Sequence, residues 1–169
     1  MPVEIKLETV KFEPCRFVGG SVYLGNKGRW DNNSLTEILW ERSGWIFEML
    51  DGLSGYATVD THKAALTVWD KFDGKNELFG YYIGKFMKAG TPVPHDLDYF
   101  DIDMDYMMKI WVKGKFRDGG YGDLWNCPGY EADQKYIDMS RVCAAEVYPE
   151  PDGNGESFVG YYRPCNLKR

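Results

Sequence analysis

The sequence predicts an α+β fold in which a strand-helix-strand-strand unit occurs twice, with antiparallel sheet lying against helices. Three observations predict it. Ser34-Leu35-Thr36-Glu37 is a capping-box helix start followed by apolar residues at helical spacing, a long run near Ile102 to Gly114 alternates with period two, and glycine-rich turns separate paired β-prone runs in each half.

The first half opens with Ile5, Leu7 and Thr9 between charges and continues through Pro14 into Phe17 to Leu24, two strand pieces or one long bent strand. A helix follows. Leu35, Leu39, Ile46, Phe47 and Leu50 mark its apolar stripe, Trp40 and Trp45 lie at its edges, and Gly52 stands just past its end. Residues Ala57 to Phe72 and Glu77 to Met87, around Asp73-Gly74-Lys75-Asn76, read as a hairpin. The order then restarts after the linker Gly90 to Pro94. In the strand Ile102 to Gly114, Ile102, Met104, Tyr106, Met108, Ile110 and Val112 share one face, leaving Met107 and Trp111 among charges on the other. A weaker helical stretch lies within Tyr121 to Met139, and strands Cys143 to Tyr148 and Phe158 to Asn166 close the chain. Two such units place their helices on one side of the sheet, so the opposite side must be covered, solvated or used to bind something. Trp111 on the nominally polar face suggests a ligand groove there.

Composition limits the functions available. The chain has 169 residues, 44% hydrophobic, 27% charged and 16% aromatic, which suits one domain or two small fused modules. A formal net charge of -6 argues against direct nucleic-acid binding and favours cationic small molecules through the long-range field. No apolar stretch approaches the roughly 20 residues of a membrane span. The start Met1-Pro2-Val3-Glu4 lacks the pattern of a signal peptide, so reduced, mostly buried thiols in a cytoplasmic protein are expected.

Most familiar chemistry is missing. Cys15, Cys127, Cys143 and Cys165 form no Cys-x-x-Cys pair and have no histidine at metal-ligand spacing. His62 and His95 belong to no triad or zinc-hydrolase pattern, and Asp101, Asp103 and Asp105 lack the glycine turn and distal glutamate of a calcium loop. Gly19-Gly20 and Gly119-Gly120 read as bulges or turns rather than phosphate loops. The sequence implies no metal and no cofactor.

What remains is aromatic, together with one carboxylate. Glu146 interrupts the apolar run Val142 to Tyr148, where it either lies on a solvated strand face or faces a cavity. Alternation puts Tyr148 on its face and separates Tyr161 from Tyr162. A carboxylate beside aromatic rings is the chemistry of a pocket for an organic cation. The ligand-binding candidates are Glu146, Tyr148, Trp111, Tyr106, Tyr82, Tyr161, Tyr162 and Trp45.

In order along the chain, the doubled unit, Tyr81-Tyr82-Ile83-Gly84 with Val93-Pro94, the strand Ile102 to Gly114, Glu146-Val147-Tyr148 and Tyr161-Tyr162-Arg163-Pro164 resemble the GyrI-like small-molecule-binding domain. That domain is also the effector-binding domain of multidrug-responsive bacterial transcription regulators. The resemblance implies one domain over residues 1–169, with pseudo-two-fold modules at about 1–90 and about 95–169. It implies a groove for hydrophobic, often cationic, compounds, with Glu146 as the acidic contact and Tyr148 and Tyr161 or Tyr162 as the aromatic wall. The family's Ile-Pro-x-Gly-x-Tyr-Ala strand is replaced by Ile102 to Met108, without proline or glycine. Because Met1 to Leu24 is already strand-like, the stand-alone form is expected rather than a regulator with its own helix-turn-helix.

Three functions follow as expectations. The first is capture of an aromatic or cationic compound without covalent chemistry. The second is hydrolysis of reactive strained-ring toxic compounds, with Glu146 as the catalytic residue activating water, as in hydrolases similar to this family. The third is a protein-interaction module docking to a gyrase or to a DNA-binding partner through an apolar patch.

Overall fold

The computed structural model describes residues 4–25, 33–58, 61–68, 78–113, 137–138, 143–150 and 158–167. Their order is β1 (Glu4–Lys11), β2 (Cys15–Gly25), α1 (Asn33–Glu41), α2 (Ser43–Asp51), a 3-10 turn (Ser54–Tyr56), β3 (Lys63–Val68) and β4 (Leu78–Lys88). The second half holds β5 (Asp98–Ile102), β6 (Tyr106–Lys113), β7 (Ile137–Asp138), β8 (Cys143–Tyr148) and β9 (Phe158–Leu167).

Eight strands form one antiparallel path, β1-β6-β9-β8-β3-β4-β2-β5, and the short β7 pairs with β9. The doubled unit is visible in this order. From the central β8–β3 junction, β9 and β6 run outward on one side as β4 and β2 do on the other. The opening strands are exchanged between halves, since β1 precedes β2 but pairs with β6, whereas β5 precedes β6 but pairs with β2.

That exchange closes the sheet on itself. Residues 12–14 join β1, at one end of the path, to β2, one strand in from the other end, and a link with so few residues reaches at most about 14 Å. Residues 103–105 do the same for β5 and β6. The two links meet where the Phe12 N–H donates to the Asp105 carbonyl at 3.1 Å. The inward face is therefore a core, containing Phe17, Leu66, Val68, Tyr82, Phe86, Val147 and Tyr162.

A second core lies on the outward face. Val18, Ile83 and Met87 alternate with the inward residues of their strands and pack against Ile46, Phe47 and Leu50 of α2. At one lateral edge, Arg16 holds Asp101 through two hydrogen bonds of 2.7 and 3.0 Å and donates a third to the Thr91 carbonyl at 2.9 Å. These hydrogen bonds keep the Asp101 carboxyl below the usual carboxylate range.

The structure refines several expectations. The helix is two segments, because the Ser43 hydroxyl donates to the Trp40 carbonyl at 2.6 Å, a back-bond that bends helices, with Gly44 following. The strand expected over Ile102 to Gly114 is broken at residues 103–105, where the chain passes from pairing with β2 to pairing with β1 and β9. Gly19-Gly20 lies inside β2 rather than at a turn. Ile137–Asp138 is a strand, and the rest of the helical stretch expected within residues 121–139 falls outside the described residues, as do Gly119-Gly120 and Cys127. Among the described residues, Cys15 and Cys143 are free thiols, and the Cys165 thiol donates to the Tyr106 carbonyl at 3.6 Å. Burial pushes Cys15 and Cys143 up to about 12, with smaller contributions from Asp101 and Cys15 respectively, so both stay protonated at neutral pH.

Candidate functional site

The face that Glu146 occupies follows from register. Directly opposed residues of antiparallel strands share a face, and Glu146 stands opposite Ala65 of β3 and Tyr161 of β9, while Ala65 stands opposite Ile83 of β4. Ile83 packs under α2, so Glu146 lies on the helix side of the sheet. Burial along β8 agrees, with Cys143, Ala145 and Val147 buried toward the inner core and Ala144, Glu146 and Tyr148 half-buried.

Around Glu146 the helix side is aromatic. The Tyr148 hydroxyl donates to Glu146 Oε2 from two residues along the same strand. Trp40 of α1 meets the Tyr148 ring edge-on, with centroids 5.6 Å apart, and its indole Nε1 donates to the Tyr81 hydroxyl at 3.0 Å. Lys63, opposite Tyr148, sets its ammonium 5.0 Å from the centre of the Phe47 ring. Small side chains, Ala65, Thr67 and Ala144, lie between the rings on this face. Buried Arg163 shares this face two positions along β9 from Tyr161. Among the described residues no ion pair engages Glu146. This arrangement can offer a flat or branched apolar body several rings and one carboxylate.

No family model matches the chain, and no curated protein matches it in sequence. Solved structures do match. SAV2435 bound to tetraphenylphosphonium superposes with a TM-score of 0.63 at 12% identity, over 96% of this chain and 94% of that one. The chain has the GyrI-like fold. A Staphylococcus aureus MU50 protein assigned to bacterial transcription regulation gives 0.61 at 14% identity, over 96% and 98% of the two chains. The Vibrio cholerae integron cassette protein VCH_CASS2 gives 0.54 at 11% identity, over 94% and 95%. Identities this low carry the fold alone, so the chemistry of this chain has to be read from its own residues.

The residues singled out from sequence divide between the two faces. Glu146, Tyr148 and Tyr161 come together on the helix side, and Tyr106 shares that side toward the other end of β6. Tyr82, Tyr162 and Trp111 point the other way, into the inner core. There Tyr162 stacks on Phe86 at 5.9 Å and meets Trp111 edge-on at 5.4 Å, and the Trp111 indole donates to Glu8 at 3.4 Å. The groove expected opposite the helices thus does not contain Glu146. Trp45 on α2 is 40% exposed and joins neither group.

Two contributors escaped the sequence reading as site residues, Trp40 and Tyr81. The signal for Tyr81 was present. Adjacent strand residues must take opposite faces, so once Tyr82 is assigned inward Tyr81 falls on the helix side. Trp40 meets Tyr148 where the helix bends at Ser43, whereas helical spacing alone put it only at the edge of the apolar stripe.

Among the described residues there is no group of His, Cys, Asp and Glu that could hold a metal ion, and no helix long and apolar enough to cross a membrane.

Proposed function

We propose that this protein binds hydrophobic organic cations on the helix side of its sheet, with Glu146 supplying charge complementarity and Trp40, Tyr81, Tyr148 and Tyr161 forming the aromatic wall. The observation that carries this reading is the half-buried Glu146 carboxylate, held by the Tyr148 hydroxyl beside the Trp40 ring. Half-burial strengthens its attraction for a cation, and the Tyr148 hydroxyl fixes one carboxylate oxygen in place. The fold adds support, because SAV2435, solved with tetraphenylphosphonium, shares it. The reaction is binding, and the cation leaves unchanged.

The test compares a cation with a neutral molecule of similar shape. Calorimetry with methyltriphenylphosphonium and triphenylphosphine oxide is run on the native chain and on Glu146→Gln. A unit charge at about 4 Å is worth about 4 kcal/mol at an effective dielectric constant near 20, and partial solvation halves this to about 2 kcal/mol, or about thirtyfold in Kd. The cation should lose that factor while the neutral oxide changes little. Equal losses for both would remove the charge role.

A further inference from the structure

A groove of about 570 Å³ lies on the opposite, inward face of the sheet, beside the link between β1 and β2. Its floor is apolar and aromatic, formed by buried Phe12, Phe86, Met107 and Tyr162. Lys109 enters from the β6 side. Its side chain is only 7% exposed, and its Nζ sits 4.9 Å from the centre of the Tyr162 ring, its direct partner on β9. Lys11, Glu13 and Lys88 stand exposed at the rim. The lining therefore carries three lysines against one glutamate in a chain whose net charge is -6, a local reversal of sign. Glu8, opposite Lys109, accepts a hydrogen bond from the Trp111 indole and is not part of the groove lining.

We propose that this groove is a second ligand site, for an amphipathic organic anion of the aryl carboxylate class. The volume suits a small ligand, and apolar walls with a few convergent polar groups are the usual composition of such sites. The aromatic floor takes the ring. The carboxylate reaches Lys109, where loss of water makes a charge-assisted contact stronger than at the surface, and the rim lysines draw the anion in. The face is fixed by alternation, since Tyr162 lines the groove while Tyr161 stands opposite Glu146 on the other side of the same strand. This site does not depend on the cation site.

The experiment uses the full chain with 2-naphthoate and its neutral counterpart 2-naphthamide, followed by tryptophan fluorescence and calorimetry at low and high salt. Naphthoate should bind saturably, more tightly than the amide and more weakly as salt rises. Lys109→Met, which keeps the stem length, should weaken naphthoate about tenfold and the amide little, and the double variant Lys11→Gln with Lys88→Gln should weaken naphthoate about threefold. Glu146→Gln should leave naphthoate binding unchanged. Should Lys109→Met fail to fold, the rim double variant decides, because its lysines are exposed. No saturation by about 5 mM naphthoate, a Kd weaker than about -3 kcal/mol of binding, overturns the proposal. So does unchanged affinity in the rim variant, or loss of naphthoate binding in Glu146→Gln.

Discussion

Alanine at Gly84 should be among the most damaging single substitutions in this chain. Gly84 faces Gly19 across the β2–β4 pair. A Cβ at Gly84 would lie 1.9 Å from the Val18 carbonyl oxygen and 2.7 Å from the Gly19 Cα, both backbone atoms that no rotamer change can move aside. Ordinary contact begins near 3.4 Å, so the strands must part locally by about 1.5 Å, close to the whole difference. Such a shift breaks about two ladder hydrogen bonds at about 1 kcal/mol each and adds an overpacking cost of 1–3 kcal/mol, giving about 3–5 kcal/mol in total. Urea unfolding followed by circular dichroism measures this, with Gly44→Ala as control. A Cβ at Gly44 meets nothing within 4 Å inside α2, so that change should be neutral or stabilise by up to about 1 kcal/mol. Adding Gly19→Ala to Gly84→Ala should cost less than it does alone, because the strands have already separated. A Gly84→Ala protein within about 0.5 kcal/mol of the native chain and of unchanged urea slope would refute the close approach of β2 and β4.

Two further outcomes follow from the same geometry. Trp40→Ala removes the ring edge against Tyr148 and should weaken methyltriphenylphosphonium about tenfold by calorimetry, an aromatic contact being worth about 1–1.5 kcal/mol, while Trp45→Ala on the exposed side of α2 should change it less than twofold. Asp101→Asn should destabilise the protein by about 0.5 kcal/mol at pH 7, since its pair with Arg16 is bidentate but solvated. The folded-state value of Asp101 lies below its unfolded one, so this contribution is present above about pH 4 and fades as pH falls through the folded value. Unfolding curves of native and Asp101→Asn protein should therefore converge in acid, and a gap that stays constant down to pH 2.5 or so would show that the ion pair is not its source.

Much of the fold could be read locally because its elements follow simple periods. The stripe Ile46, Phe47 and Leu50 is buried as helical spacing requires, and Met107, Lys109 and Trp111 do share a face opposite Tyr106, Met108 and Ile110. What local pattern could not supply was pairing. β5 was hidden because Asp98 to Asp101 alternates poorly, and its strand character comes from β2 and from Arg16 clamping Asp101. The same limit applied to the site. Alternation correctly joined Glu146 with Tyr148 and split Tyr161 from Tyr162, but the choice of face needed the β8–β3–β4 register to tie Glu146 to Ile83.

The exchange of opening strands explains why the faces differ so much in character. Had β1 paired with β2 as a simple hairpin, the sheet could have stayed open, and the inward residues Phe17, Phe86 and Tyr162 would have needed a second layer to cover them. Closure by two short links instead turns the sheet into its own cover, leaves an opening beside residues 12–14, and frees the helices to line the outward face alone. Register then becomes the quantity that the sequence must protect, because a one-residue slip of β9 would send Tyr161 inward and Tyr162 to the side of Glu146. Trp111 guards against that slip. It sits directly opposite Gly160 and packs edge-on against Tyr162, and a slip would bring Val159 or Tyr161 to face that indole across the strand pair. The aromatic residue that looked like a groove lining in the sequence thus acts on the candidate site from the opposite face, by holding the strand that presents Tyr161 to Glu146.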